Sequence, residues 1–139
     1  MSSKSERIMA AIEAALAGTT GVGARIYRDR WEALARNEMP ALVIHPETED
    51  PLVIQAFPYM ECTLAVSVDV LISGSPLSTL ADPTRVSLHA KLMADRSLGG
   101  LAFDVIPNGV TWDADSGEIG VLRCAYKVSF RSLIGDLTQ

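Results

Sequence analysis

A chain of 139 residues with 48% apolar and 21% charged residues is long enough for one folded domain with a buried core. Its net charge of −5 argues against broad nucleic-acid binding, because that binding depends on Lys and Arg neutralising phosphates. Membrane insertion is not expected either, because no apolar run approaches the ~18 residues of a spanning helix. We therefore expect a single domain over residues 1–139, made in the cytoplasm, with no specific nucleic-acid partner and no membrane partner.

The N-terminal segment predicts an amphipathic helix. Ser3 and Glu6 have the spacing of a capping box, in which the serine side chain accepts a hydrogen bond from the start of the helix. One apolar stripe follows, formed by Ile8, Ala11, Ile12, Ala15 and Leu16. Gly18 provides the stop, because glycine tolerates the left-handed conformation found at helix ends.

The next segment carries a group of basic and aromatic residues. We predict a short extended piece at residues 25–27, a brief helix at 31–36 and a strand at 41–45 after Pro40, which ends the helix. The group consists of Arg25, Tyr27, Arg28, Arg30 and Trp31. Such residues are typical anchors of protein interfaces. The alternative is a turn whose charges are solvated and whose aromatic rings pack on the core.

An acidic turn is predicted next, at residues 47–50, with Glu47, Glu49 and Asp50 as candidate interaction residues. A short strand at residues 52–57 follows. Pro58 then indicates a hairpin edge or a loop tip, because proline cannot donate to a central ladder.

The stretch from residue 61 to residue 72 alternates strictly and predicts a long strand. One face carries Cys62, Leu64, Val66, Val68, Val70 and Ile72. The other face is mixed and includes Asp69, which we expect to face solvent or an interface. A strand this long needs a partner of similar length, and residues 121–131 offer one.

The second half of the chain predicts a helix and a hairpin. Asp82 has the form of an N-cap and Pro83 that of the first helical residue, with the helix ending near residue 95. Its expected apolar stripe is Val86, Ala90 and Met93, with Leu88 and Leu92 alongside. A strand at residues 105–112, a turn at 113–117 and the last strand then complete the chain. The last strand places Leu122, Cys124, Tyr126, Val128 and Phe130 on its core face.

This order of elements predicts an α+β fold. Neither helix alternates with strands in the pattern of a parallel α/β sheet. We expect a mostly antiparallel β-sheet with two α-helices packed on one face. Cys62 and Cys124 are interpreted as small buried hydrophobic residues, and a disulfide between them is the alternative if their strands are neighbours in register.

No catalytic, cofactor or metal site is predicted, and no cofactor is expected. Ser87 and His89 lie two positions apart on a helix and cannot form a nucleophile and base pair. Asp113 and Asp115 begin a segment that superficially resembles a calcium loop, but Cys124 stands where the closing glutamate belongs. A small enzyme or ligand-binding domain would instead need a polar pocket that holds His45 or His89 beside a carboxylate.

Several segments together resemble tail terminator proteins of long-tailed phages and prophages. They are GARIYRDRWEAL at 23–34, MPALVIHPETED at 39–50, the long strand with Asp69, and LGGLAFDVIPNG at 98–109 before the last strand. The resemblance implies a structural role in a hexameric ring of identical subunits on the tail tube. The implied partners are the tail tube protein, the head–tail connector and, less directly, the tape-measure protein, and the implied location is the virion tail.

A closed ring requires two different, complementary surfaces on each subunit. We expect the arginines at positions 25, 28 and 30 and the acidic segments, including Asp113 and Asp115, to supply them. A head-closure or tail-completion protein is the first alternative. A small α+β enzyme or ligand-binding domain is the second.

Overall fold

The computed structural model describes residues 1–30, 34, 36–53, 58–115 and 119–139. The described elements in chain order are α1 (Lys4–Leu16), β1 (Ile26–Arg28), a 3-10 turn (Arg36–Glu38), β2 (Ala41–Val53), β3 (Tyr59–Ser73), α2 (Leu77–Ala94), β4 (Asp104–Asp115) and β5 (Ile119–Leu133). Most of the predicted short helix at 31–36 lies outside the described residues.

The described strands form one sheet in the order β1-β2-β3-β5-β4. β1 runs parallel to β2, and every other neighbouring pair is antiparallel. The two helices contact each other and lie on the same face of the sheet, where the main core forms between the two layers. The predicted α+β class, with a mostly antiparallel sheet and its helices on one face, is confirmed.

The long alternating strand is confirmed as β3, and β5 pairs with it along its whole length, from Tyr59 opposite Leu133 to Ser73 opposite Ile119. The apolar face of each strand is buried beneath the helices. Cys62 lies opposite Phe130 and Cys124 opposite Val68, so the two buried thiols belong to separate positions of the ladder and are free. Burial raises the pKa of Cys124 to about 11.

The acidic segment is not a turn, and this prediction was wrong. Residues 47–50 belong to β2, a single strand that continues through a bulge between Pro46 and Thr48. Because β3 is so long, it offers backbone partners to the whole segment. Pro51 is tolerated here because, among the described residues, only β1 pairs with the outer side of β2, and it reaches only residues 42–44. Of the predicted strand at 52–57, only residues 52 and 53 are described.

Helix α1 begins and ends as predicted. Ser3 is the N-cap, and its hydroxyl accepts a hydrogen bond from the backbone N–H of Glu6 at 3.1 Å. Within the predicted stripe Ile8, Ile12 and Leu16 are fully buried. Gly18 follows the helix end with φ of +80°.

Helix α2 differs from the prediction in its start and in its buried face. It begins at Leu77 after Pro76, so Asp82 and Pro83 lie inside the helix. Leu77 and Ala81, which precede Pro83 in the helix, are buried. The buried face is Leu77, Ala81, Thr84, Leu88 and Leu92. Val86 and Ala90, expected at the core, are exposed instead.

The predicted turn at 113–117 begins too early. Asp113 and Asp115 belong to β4, which extends to Asp115 opposite Ile119 of β5. Residues 116–118 lie outside the described part of the chain. A bulge between Pro107 and Val110 sets two residues of β4, at 108 and 109, opposite Ala125 alone.

Asp69 is buried, so its expected position facing solvent or an interface was wrong. Its carboxylate receives two hydrogen bonds from Arg123 on β5, at 3.0 and 3.1 Å, and a third from the Ser67 hydroxyl at 2.7 Å. Only 6% of Asp69 is exposed. The cross-strand register supplies the partner, because Asp69 lies directly opposite Arg123.

We expect Gly120→Val to destabilise the fold by about 1–3 kcal/mol through overpacking. A Cβ at Gly120 would lie 2.8 and 3.0 Å from the two methyl carbons of Leu77, which anchors the first turn of α2. Urea unfolding should show that Gly120→Val costs less in a Leu77→Ala background than in the wild-type protein. Strictly additive losses would contradict a direct clash between these two side chains.

Candidate interaction surfaces

The three arginines of the predicted interaction group all have partners within the chain. Arg25 donates to the backbone carbonyls of Pro40 and Gly21, each at 2.9 Å. Arg28 forms an ion pair with Glu6 at 2.6 Å, and Arg30 forms one with Glu38 at 2.9 Å. These contacts connect the segment around β1 to α1 and to the 3-10 turn, so charge reversal here would also disturb the monomer.

Tyr27 is half-buried on the face of the sheet that the helices leave open. It packs against a small second cluster formed by Leu34, Ala41 and Val43, and the Arg30 guanidinium lies 4.7 Å from its ring centroid. Trp31 lies outside the described residues. The proposed interface role of this group stays a prediction.

The acidic residues of β2 diverge because the bulge between Pro46 and Thr48 puts Glu47 and Glu49 on opposite faces, although residues two apart in a regular strand share a face. Glu49 accepts a hydrogen bond from Ser5 on α1, whereas Glu47 pairs with His45 at 3.0 Å. Asp50 is exposed. Asp113 is exposed on β4, at the opposite edge of the sheet, where Asp115 ends the strand.

Glu47 and Asp113 nevertheless both influence the pKa of Arg123. Both add to the rise in the pKa of Arg123, whose main cause is the hydrogen-bonded Asp69 carboxylate. Glu47 comes from the β2 side and Asp113 from the β4 side of this arginine. Both acidic segments therefore contribute to the electrostatic environment of one arginine on the open face, although they are far apart in sequence.

Sequence reasoning missed an exposed cluster at one end of this open face. Arg131 lies between two aromatic rings, with its guanidinium carbon 5.4 Å from the Tyr59 centroid and 5.6 Å from the Phe103 centroid. Tyr59 is 42% exposed and Phe103 is 57% exposed. Two exposed apolar residues lie on the flanking strands of the same face, Leu52 on β2 opposite Glu61 and Ile106 on β4 opposite Lys127. We call Arg131, Tyr59, Phe103, Leu52 and Ile106 the aromatic cluster. Its composition is typical of interface hot spots, but only the strand register reveals the grouping.

A cavity of about 530 Å³ lies on the other face, between α2 and the β4–β5 hairpin. Its lining includes Arg85, His89, Val110, Cys124 and Tyr126. His89 Nδ1 lies 2.9 Å from the Tyr126 hydroxyl, and burial raises the pKa of this tyrosine.

Both histidines of the chain have a polar partner, since His45 also contacts Glu47. Ser87 accepts a hydrogen bond from the backbone N–H of Thr20. It does not pair with His89, as their helical spacing predicted.

The described residues contain no group of three or more His, Cys, Asp or Glu side chains placed to hold a metal ion. Neither described helix has the length and apolar character needed to cross a bilayer.

Comparison with known proteins gives a match at the level of fold. No protein-family model matches the chain, and no curated protein matches it. Among solved structures, a chain in the virion of a native gene transfer agent particle matches with a TM-score of 0.50 and 9% sequence identity. The match covers 94% of this chain and 92% of that chain. At this identity the likeness establishes that nearly the whole of each chain shares a common fold.

Proposed function

We propose that this chain is a structural protein of a phage-like virion that assembles with copies of itself and with other virion proteins. The observation that carries the proposal is the fold match to a chain of the gene transfer agent virion, because it covers nearly all of both chains. A catalytic role is not part of the proposal.

More specifically, we propose a tail terminator. In this role the subunits form a hexameric ring on the tail tube, end its polymerisation and offer a surface to the head–tail connector. The resemblance of the segments at 23–34, 39–50 and 98–109 supports this assignment. The partners would then be the tube protein, the connector and the tape-measure protein. Assembly would take place in the host cytoplasm and the product would reside in the virion tail.

The aromatic cluster is the surface that best fits a contact with another subunit or with the tube. Two exposed rings held by one guanidinium present a large, rigid contact area that loses little conformational entropy on binding. Leu52 is 62% exposed and Ile106 is 41% exposed, and both extend the apolar area. Arg131 also lies 3.9 Å from Glu61, so opposite charges border the rings.

The test is the oligomeric state, measured by light scattering over a range of concentrations with electron microscopy of the large species. We expect a discrete ring, either free or on tubes assembled from the tail tube protein of the same genome. Replacing Tyr59 and Phe103 together by serine should raise the concentration needed for assembly at least about tenfold, as hot-spot losses do. Leu80→Ser, a change of an exposed apolar residue on α2, serves as the matched control.

Each outcome has a defined meaning. A protein that stays monomeric at every concentration and ignores tail tubes would overturn the proposed function. Binding to purified portal complex in place of tubes would assign a head-closure role instead. Normal assembly of the double variant would leave the ring in place but remove the aromatic cluster from its contacts.

A further inference from the structure

The cavity beneath α2 opens beside a free sheet edge. β4 is the last strand of the sheet, so one side of its backbone has no strand partner among the described residues. The bulge that places Gly109 in the lining also interrupts the pairing with β5 opposite Ala125. An apolar cavity next to an unpaired edge is the arrangement that accepts an extended segment as an added strand, with one side chain in a pocket.

Arg85 supplies this cavity with a positive charge. Its guanidinium lies 5.5 Å from the ring centroid of Trp112, which is itself 51% exposed. Within the described part of the chain, no hydrogen bond or ion pair engages it. It lowers the pKa of both Cys124 and Tyr126, against the larger effect of burial, so its field reaches the cavity floor. A half-buried guanidinium with open donors is suited to a carboxylate.

The remaining polar groups of the cavity define how a ligand would enter. His89 Nδ1 contacts the Tyr126 hydroxyl, and the second ring nitrogen of the exposed His89 has no hydrogen-bond partner among the described residues. Asp82 lies on the rim, one helical turn before Arg85, and forms no ion pair with it. The carboxylate of a ligand is therefore expected on the Arg85 and Trp112 side, away from Asp82. Apolar lining from Val86 and Val110 leaves room for a neighbouring apolar side chain.

We propose that this cavity and the adjoining edge of β4 bind an extended segment of another protein. The segment would place an Asp or Glu side chain on Arg85 and an apolar side chain, two positions along, in the cavity. That spacing follows because alternate residues of a strand point to the same face. The inference rests on the proposed role in assembly with other virion proteins and names the chemistry of one such partner.

The experiment selects short random peptides from a display library against the wild-type protein. The selected sequences should be enriched in an acidic residue two positions from an apolar one. Selection against Arg85→Gln should lose the acidic preference while keeping the apolar one. Arg7→Gln on α1 changes an exposed arginine outside this cavity and should leave both preferences intact.

Calorimetry then measures the selected peptide beside its Gln or Asn counterpart. The wild-type protein should bind the acidic peptide at least about tenfold more tightly, as expected for a charge-assisted hydrogen bond. Arg85→Gln should bind both peptides equally. Equal binding by the wild type, or the same acidic preference in both proteins, would overturn the proposal. So would a selection that enriches nothing.

Two further outcomes reassign the occupant and so also overturn the proposal. Binding of 4-phenylbutyrate, but not its amide, by a protein that selects no peptide would mark a site for small acids. Loss of ring assembly in Arg85→Gln alone would place a second copy of this chain in the cavity. Conversely, a monomeric protein that still selects acidic peptides through Arg85 would retain this site and lose only the proposed virion role.

Discussion

Replacing Leu88 by alanine is expected to lower the free energy of unfolding by about 3 kcal/mol, within the usual range for large-to-small changes in a core. Leu88 lies on the middle of α2 with none of its surface exposed. Its side chain fills the space between the helix and the central strands, where the packing of two rigid layers leaves little room for collapse. Urea unfolding monitored by circular dichroism measures the loss.

The matched control is Val86→Ala on the same helix. Val86 is 62% exposed, so its truncation should change the free energy of unfolding by no more than about 0.5 kcal/mol. The two positions point in directions about 200° apart, since each helical residue turns the chain by about 100°. A larger loss for Val86 than for Leu88 would show that the helix presents its opposite face to the sheet.

The second large effect is expected at the Asp69–Arg123 pair, where the two partners should respond unequally. Arg123→Met removes the cation and leaves a carboxylate that is only 8% exposed with the Ser67 hydroxyl as its remaining partner. We expect a loss of about 2–3 kcal/mol, below the cost of breaking a fully buried pair, because half of the Arg123 side chain reaches solvent.

Asp69→Asn should cost only about 1 kcal/mol, since the amide oxygen still accepts hydrogen bonds and Arg123 can turn to solvent. The double variant measures the coupling between the two positions. Unfolding at neutral pH tests whether Arg123→Met loses more stability than Asp69→Asn. Lys127→Met is the control for removal of an exposed cation from the same face. A loss for Arg123→Met no larger than the ~1 kcal/mol expected for Asp69→Asn would mean that the buried carboxylate needs no charged partner.

Local pattern was sufficient for the elements whose apolar positions repeat at a regular spacing. Strands β3 and β5 alternate over their full lengths, and each has one continuous apolar face that only a helix layer can cover. The Ser3 cap and the stripe through Ile8 and Ile12 define α1 in the same local way. These features predicted the fold class, because they are consistent at every level from the side chain to the layer.

Helix α2 shows where local pattern was insufficient. It carries apolar residues on both sides, with Val86, Ala90 and Met93 on one and Leu77, Leu88 and Leu92 on the other. Either set satisfies helical spacing. The choice between them depends on which side meets the sheet, and contacts with β3 and β5 make that choice. Val86 and Ala90 are thereby left exposed and border the cavity that carries Arg85, whereas Met93 packs at the margin of the core.

The acidic segments were misread for a related reason. Glu, Asp and Pro are typical of turns, yet residues 47–50 and 113–115 are extended because long neighbouring strands provide hydrogen-bond partners. Asp69 was assigned to a surface because its partner, Arg123, lies 54 positions away in the chain. Neither the partner nor the cavity can be located until strand order and register are known.

Hydrophobic periodicity within each segment is enough to predict the layers of this protein: two long strands, a capped first helix and the sides they bury. The covered face of α2, the pairing of charges, and the places where exposed rings and the guanidinium of Arg85 come together follow from the three-dimensional packing. The difference arises because burial periodicity is a local property. Contacts between strands and between layers join residues far apart in sequence, and these depend on register.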